Sequence, residues 1–387
     1  MNLPIYLDHN ATTPCDPRVL ETMMPYFSEN FGNPASKSHS YGWIAEEAVD
    51  YAREQVARLI GADPKEIIFT SGATEADNLA IKGIFEMYRA KGSHILTVKT
   101  EHKAVLDTCR HIEKAGGEID YLDVDEHGLV EISRLESAIR PTTVLIAVMY
   151  ANNETGVIQP ITEIGEFAQR HGVLFFSDTV QAAGKIPVDV RKEGLDLASL
   201  SAHKMYGPKG VGALYIRNKI PGIKVMAQID GGGHERSIRS GTLNVPGIVG
   251  FGKAAQIAKT ELENEYSRLR MLRDKVEKAV LGIGGTFVNG STAHRMPHVT
   301  NISFQSVEGE DLLLNLNKYM AVSSGSACTS VLKEPSYVLK AMGVDNDLAL
   351  SSVRFSLGRS NTDEQIHYII RQVREVVARL RNKLPDT

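Results

Sequence analysis

The chain has few cysteines and no long apolar run. Its 387 residues include three cysteines, Cys15, Cys109 and Cys328, which are too few and too scattered for a disulfide framework or a four-cysteine zinc site. No stretch approaches the roughly 20 apolar residues of a membrane span, and the N-terminus lacks the basic flank and apolar run of a secretory signal. We therefore expect a cytoplasmic protein without a membrane partner.

An excess of positive charge is also lacking. The formal net charge is −4, from 43 Lys and Arg against 47 Asp and Glu. A protein that holds nucleic acid or an anionic membrane by bulk charge needs the opposite balance, so no nucleic-acid partner is expected. Hydrophobic residues make up 42% and charged residues 23%, which is ordinary for a globular protein.

The first two thirds of the chain alternate short apolar runs with amphipathic stretches. The apolar runs predict strands near 66–70, 94–98, 143–149, 173–177, 195–201 and 211–216. The amphipathic stretches predict helices near 75–91, 103–115 and 161–171. Such alternation is typical of an α/β domain with a largely parallel sheet.

The pattern changes after about residue 245. A long charged helix is predicted to about residue 281, followed by strands near 299–304 and 353–356 and a final helix near 362–384. A chain of this length exceeds the size at which a single core usually stops growing. We therefore predict a large domain at 15–255 and a smaller α+β domain made of 1–14 and 256–387.

Three positions just after predicted strands could carry chemistry, because ligands of α/β sheets bind at the carboxyl ends of the strands. Residues 70–75, TSGATE, open a helix and suit a phosphate, although a plain capped helix start would look the same. Asp178 is either a structural group or the partner of a cofactor's pyridine nitrogen. Lys204 taken singly is more often a surface lysine, but Ser201 and His203 beside it could bind phosphate, and its amine could condense with an aldehyde.

Two later loops are also candidates. Residues 231–242 contain GGGHER and RSGT, which indicate either a mobile turn or close approach to an anion or a second subunit. Cys328 lies among small polar residues in SSGSACTS, a setting that favours a reactive thiol over a structural one. Cys109 lies on a helical pattern and is expected to pack, and Cys15 has no catalytic context.

These segments together resemble a known family. LDHNATTP, FGNPAS, FTSGATEADNLA, KTEHKAVL, NNETG, SAHKMYGPKG, GGGHER, RSGT, SSGSACTS and VRFSLGR occur in this order and are similar, nearly end to end, to the cysteine desulfurases. That resemblance implies a fold-type I transferase dependent on pyridoxal 5′-phosphate (PLP). It implies conversion of L-cysteine to L-alanine, a persulfide on Cys328, and sulfur donation for iron–sulfur clusters and tRNA thiolation. SSGSACTS is similar to the long-loop class, which serves housekeeping or nitrogenase-associated assembly.

The resemblance also implies roles for matching residues. Lys204 would bind PLP covalently, and His102 would stack on its ring and act as an acid–base group. The other implied cofactor-binding residues are Ala73, Thr74, Asn153, Asp178, Gln181, Ser201, His203 and Thr242. The implied substrate-binding residues are Asn33, Asn153 and Arg354. Thr242 would reach the phosphate of the second subunit, so a homodimer is expected.

The implied partners are an iron–sulfur scaffold protein and other sulfur acceptors. No resident metal is expected, although Cys328 could transiently share a cluster with the scaffold. Residues 326–332 are expected to be mobile, since Cys328 must reach both the cofactor and an acceptor.

Two other functions stay open at this point. A selenocysteine lyase or another PLP-dependent transferase would share Lys204 and Asp178, but the Cys328 loop argues against it. A non-catalytic assembly platform would not need an intact set of Lys204, His102, Asp178 and Cys328.

Overall fold

The computed structural model describes residues 3–218, 222–324 and 334–382. Cys328, the segment 326–332 and the predicted end of the last helix beyond residue 382 lie outside these ranges. The strands within them are β1 (Ile5–Tyr6), β2 (Ile67–Thr70), β3 (His94–Val98), β4 (Glu118–Leu122), β5 (Thr143–Ala147), β6 (Leu174–Asp178), β7 (Leu197–Ser201), β8 (Gly212–Ile216), β9 (Thr286–Val288), β10 (Val299–Phe304), β11 (Met320–Ala321) and β12 (Ser352–Ser356). The α-helices are α1 (Pro17–Met23), α2 (Pro25–Ser28), α3 (Ser40–Ile60), α4 (Ala73–Tyr88), α5 (Lys103–Lys114), α6 (Ile132–Ala138), α7 (Ile161–His171), α8 (Val245–Leu281), α9 (Gly309–Leu316), α10 (Tyr337–Ala341), α11 (Asn346–Leu350) and α12 (Asp363–Arg381).

A seven-stranded sheet with the order β2-β8-β7-β6-β5-β3-β4 forms the centre of the molecule. The five strands from β7 to β4 are mutually parallel, and β8 runs antiparallel to both of its neighbours. The prediction of a largely parallel α/β sheet is therefore confirmed. The carboxyl ends of β2, β3, β5, β6 and β7 meet at one edge, where the loops bearing the candidate residues begin.

Both faces of this sheet are covered, because successive side chains of a strand point to opposite sides. Ile67 and Phe69 pack in one hydrophobic cluster with α3, α7 and the first half of α8. Ile68 packs in another cluster with α4 and α5 on the opposite face. The buried sheet therefore offers a rigid platform for the loops at its carboxyl edge.

A third hydrophobic cluster lies around the antiparallel sheet β12-β10-β9. It includes the second half of α8, α9 and α12, and also Ile5 and Leu7 from the N-terminus. Helix α8 runs unbroken through the predicted boundary at residues 255–256, so it connects the first cluster with the third. The division into two domains stays a prediction.

Sequence patterns predicted most of the longer elements within a few residues and missed others, among them β4 and α3. Strand β4 has no fully buried residue, so it shows no apolar run at the edge of the sheet. Helix α3 has ten buried residues, but charged residues are interspersed among them in the sequence. This mixture obscured the helical pattern. The predicted helix at 75–91 begins two residues earlier, at Ala73.

Candidate active site

A cavity of about 710 Å³ opens at the carboxyl edge of the large sheet. Ten of the residues predicted from sequence line it: Ala73, Thr74, His102, Asn153, Asp178, Gln181, Ser201, His203, Lys204 and Arg354. They come from loops after five different strands and from β12 of the small sheet. Folding thus gathers residues that are up to 281 positions apart (354 − 73) at one place.

Three other predicted residues are not gathered there. Asn33 is exposed, and its Oδ1 accepts a hydrogen bond from the backbone N–H of Ala35 at 3.0 Å. Thr242 is also exposed, and neither residue lines the cavity of its own chain. Cys328 lies outside the described residues.

Lys204 lies in a short 3-10 turn directly after β7. Its amine donates to the backbone oxygens of Asn10 and Ala11, the latter at 2.8 Å. The N-terminal segment is fastened to the same turn, because the Thr13 hydroxyl donates to the backbone oxygen of His203 at 2.8 Å. The lysine amine is therefore held against the wall of the cavity by backbone acceptors.

Asp178 is the last residue of β6 and is buried at the base of the cavity. Its Oδ1 accepts from the backbone N–H of Val180 at 3.0 Å. Burial raises the pKa of Asp178, while the charges of His102 and Lys204 and the Val180 N–H counteract it. A carboxylate in this setting favours a nearby cation or protonated nitrogen, which would compensate its burial.

His102 is the N-cap of α5, and its Nδ1 accepts from the backbone N–H of Ala104 at 3.1 Å. Burial lowers its pKa, and Asp178 opposes this shift. Because Nδ1 is an acceptor, the neutral ring carries its proton on Nε2. The resting histidine is thus a donor at Nε2.

The first turn of α4 offers an anion site. Ala73 and Thr74 are its first residues, so their N–H groups have no acceptor within the helix. Ser201 is the last residue of β7, His203 lies two residues beyond it, and both line the same cavity. His203 adds a neutral donor site, since burial, followed by Lys204 and Lys209, lowers its pKa to about 4.

Arg354 reaches the cavity from β12, with only 7% of its side chain exposed. One guanidinium nitrogen lies 2.6 Å from Oδ1 of Asp8, and another donates to the backbone oxygen of Asn153 at 2.9 Å. Within the described residues, Nε of Arg354 and Oδ1 of Asn153 are buried and have no hydrogen-bond partner. These atoms suit a ligand with both an acceptor and a donor, as an amino acid has.

Sequence reasoning missed two residues of this site. Asn10, within the LDHNATTP motif, accepts from Lys204 through its backbone oxygen. Glu154 lines the cavity and accepts from the Ser336 hydroxyl. Burial raises the pKa of Glu154 to about 7, although Ser336, Arg354 and Lys103 oppose the shift. Both residues lie in motifs quoted above, but no local pattern separates them from their neighbours.

The two described cysteines are poor nucleophiles. Cys109 is fully buried on α5, and burial followed by the charge of Glu101 raises its pKa to about 12. Burial also raises the pKa of Cys15, which packs against the first hydrophobic cluster. Neither lines the cavity, in agreement with the packing role expected for Cys109.

Comparison with known proteins gives a consistent result. The family model "Aminotransferase class-V" matches residues 5–369. A "Cysteine desulfurase IscS" from Anaeromyxobacter sp. (strain Fw109-5) is 58% identical over 386 residues, which cover 100% of this chain and 95% of that protein. The chain belongs to the cysteine desulfurases of the aminotransferase class-V family.

Solved structures agree with this membership. A "NifS-like protein" superposes with a TM-score of 0.91 at 38% identity and covers 98% of this chain and 100% of its own. A structure titled "SspA in complex with cysteine" gives a TM-score of 0.81 at 36% identity, with coverages of 91% and 98%. The fold-type I architecture predicted from the motifs is thereby confirmed.

Two kinds of feature are absent from the described residues. No helix among them is both long enough and apolar enough to cross a membrane. Within residues 3–218, 222–324 and 334–382, no group of three or more His, Cys, Asp or Glu side chains could hold a metal ion.

Proposed function

We propose that this enzyme converts L-cysteine to L-alanine and moves the substrate sulfur onto Cys328 as a persulfide, with PLP bound at Lys204. The observation that carries the proposal is the convergence of an amine (Lys204), a buried carboxylate (Asp178) and a guanidinium (Arg354) on one cavity. Membership in the cysteine desulfurases supports the reaction class.

The residues of the cavity fit PLP. Ala73, Thr74, Ser201 and His203 form a donor set for its phosphate. Asp178 is a buried acceptor with few partners of its own, as the protonated pyridine nitrogen requires. Lys204 lines the same cavity with an amine that can bond an aldehyde. When bound, PLP supplies an electron sink for negative charge at the substrate's Cα.

Arg354 would bind the substrate carboxylate. Its guanidinium is a rigid fork, and its unpartnered Nε can add a second, parallel hydrogen bond to a carboxylate. The Oδ1 of Asn153 stands beside it as an acceptor for the amino group. These contacts would orient Cα of the cysteine toward Lys204.

Lys204 and His102 would move the protons. When its amine is not bonded to an aldehyde, Lys204 would be the base that takes the α-proton and later returns it to Cα before alanine leaves. His102 Nε2–H is positioned as an acid, because its Nδ1 is already engaged by the Ala104 N–H.

Cys328 would take the sulfur. Its thiolate attacks the substrate Sγ, an S–S bond forms and the substrate Cβ–S bond breaks. The bonding electron pair stays on Cβ, which gains a proton and becomes the methyl group of alanine. Cys109 and Cys15 do not compete, since burial raises the pKa of each thiol.

A homodimer would complete the site. Large apolar side chains are exposed along residues 20–44, among them Met24, Phe27, Phe31 and Trp43, and such surfaces mark protein interfaces. Thr242 is exposed outside its own cavity, as expected of a ligand to the partner subunit's phosphate. We further propose cytoplasmic sulfur delivery to an iron–sulfur scaffold and other acceptors, and free Cys15 and Cys109 are consistent with that compartment.

Incubation of the PLP-loaded protein with L-cysteine tests the proposal. Equimolar alanine and sulfide under reducing conditions are the expected products. A keto acid would indicate transamination, turnover restricted to selenocysteine would indicate a lyase, and no turnover would leave only a platform role; each of these three results would overturn it.

A further inference from the structure

Lys185 stands behind the cavity wall and has no part in the mechanism above. It is partly buried and does not line the large cavity. Its amine donates to Oε1 of Gln181 at 3.1 Å. Burial, followed by the charges of Lys204 and Arg354, lowers the pKa of Lys185 well below its usual range, so a neutral amine at this place avoids repulsion of the Lys204 cation.

The other end of the Gln181 carboxamide is held as well. Its Nε2 donates to the backbone oxygen of Asn10 at 3.0 Å. Gln181 is buried and lines the large cavity. The amide is therefore held at both ends, by the Lys185 amine and by the Asn10 backbone oxygen.

Asn10 is itself fixed by its side chain. Its Oδ1 lies 2.7 Å from Nε2 of His298, and its Nδ2 donates to the backbone oxygen of Asn153 at 3.0 Å. His298 is buried, and burial lowers its pKa well below the usual value, so the neutral ring donates from Nε2. The backbone oxygen of Asn10 consequently has a defined position.

These contacts select one of the two orientations of the amide. A backbone oxygen can only accept, so Asn10 requires the NH₂ end of Gln181. The Lys185 amine donates to the opposite end. The NH₂ group carries two protons, and Asn10 uses one of them, which leaves the second for an acceptor in the cavity. In the flipped orientation, Oε1 of Gln181 would face the backbone oxygen of Asn10, and two acceptors cannot form a hydrogen bond with each other.

We propose that Lys185 is a positioning residue that, together with Asn10, fixes the Gln181 carboxamide so that its NH₂ group donates to an oxygen of the bound cofactor. This inference rests on the proposed function. Without Lys185, Oε1 of Gln181 is buried without a donor, and a buried acceptor without a partner favours rearrangement of its side chain.

The test compares four PLP-loaded proteins: Lys185→Met, Gln181→Ala, the double variant, and Lys253→Met. Lys253 is a matched control, because its amine also donates to a glutamine Oε1, that of Gln256 at 3.0 Å, on α8. The readouts are the pH midpoint of the visible absorption of bound PLP and the PLP dissociation constant. Neither depends on turnover.

Lys185→Met should shift the midpoint in the same direction as Gln181→Ala and weaken PLP binding by about fivefold to tenfold, the loss typical of one hydrogen bond. The double variant should match Gln181→Ala alone, because Lys185 acts through that amide. Lys253→Met should match wild type.

Two results would overturn the inference: a Lys185→Met protein that behaves like Lys253→Met, or a double variant in which the two effects add. Lys185→Gln keeps an N–H donor, so its pH midpoint and PLP dissociation constant should lie between those of wild type and Lys185→Met. It replaces the Met variant in the test if that variant does not fold. The wild-type protein distinguishes the two proposals. If it binds PLP at Lys204 and releases alanine, the proposed function stands even where the role of Lys185 fails. If it does not bind PLP, the proposed function and the role of Lys185 are both overturned.

Discussion

Arg354 and Asp8 form an ion pair within the cavity, with a guanidinium nitrogen 2.6 Å from Oδ1. The two residues are 346 positions apart in the sequence. The side chain of Asp8 is 21% exposed and that of Arg354 is 7% exposed. The carboxylate holds the guanidinium in place in the resting protein, so an incoming substrate carboxylate meets a fork that is already oriented.

Replacing Arg354 by lysine should weaken substrate binding. An ammonium group can keep a contact with Asp8, but it cannot hold Asn153 and a carboxylate with the same planar geometry. We expect KM for L-cysteine to rise by about tenfold to a hundredfold, with a smaller change in kcat. Steady-state alanine formation measures both constants, and Arg374→Lys on the exposed face of α12 is the control. An unchanged KM would remove Arg354 from the substrate site.

Replacing Lys204 by alanine should abolish covalent binding of PLP. The prediction follows from the position of its amine in the cavity that Asp178 and the phosphate subsite also line. Intact-protein mass after borohydride reduction should show the cofactor on wild type and on Lys192→Ala, a change at an exposed lysine. Cofactor still attached to the Lys204→Ala protein, at any other lysine, contradicts the assignment.

Replacing Cys328 by serine should separate cofactor chemistry from sulfur transfer. The variant should bind PLP and change its absorption on addition of L-cysteine, but release almost no alanine. Cys109→Ala and Cys15→Ala should stay active, because the pKa of Cys109 is raised to about 12 and that of Cys15 is also raised. Normal alanine release by the serine variant would show that a group other than Cys328 accepts the substrate sulfur.

Thr242 should act across the dimer interface, and mixed dimers test this. A dimer of one Lys204→Ala chain and one Thr242→Ala chain contains one intact site if Thr242 serves the partner subunit. PLP affinity at that site should then equal wild type. If Thr242 served its own chain, the only remaining lysine site would show the weakened affinity of the Thr242→Ala homodimer.

His9 should make the protein sensitive to acid. Both of its ring nitrogens are buried and have no hydrogen-bond partner within the described residues, and burial lowers its pKa to about 3. The unfolded chain binds a proton near pH 6.5 and the folded chain does not, so stability is complete above pH 6.5 and falls as the pH is lowered. Between pH 6.5 and 5.0 this one group should cost roughly 1.5 kcal/mol.

Urea unfolding at the two pH values measures the effect. His9→Phe, which keeps a planar ring, should remove that part of the pH dependence. His111→Phe, on the exposed side of α5, should leave it in place. An equal pH dependence in wild type and His9→Phe would show that the histidine is not protonated on unfolding in this range.

Much of the candidate site could be predicted from sequence because its residues stand in local patterns. Asp178 ends an apolar strand, Lys204 follows another, and small residues open α4 at Ala73. Such positions depend on short-range rules of strand ends and helix starts, and a parallel sheet brings its carboxyl edges together whatever the details of packing.

Other parts were decided only by tertiary structure. Asn10 contacts Lys204, Gln181 and His298 across 194, 171 and 288 positions, and two of these bonds end on a backbone oxygen, which every residue possesses. Asn33 lies in the FGNPAS motif, which the family shares, but it does not line the cavity of its own chain. Hydrogen bonds between distant segments leave no periodic or compositional trace in a sequence. The sequence by itself therefore determined the reactive side chains and the strand ends that bear them. Packing of the N-terminal segment against the sheet decided which groups position those side chains.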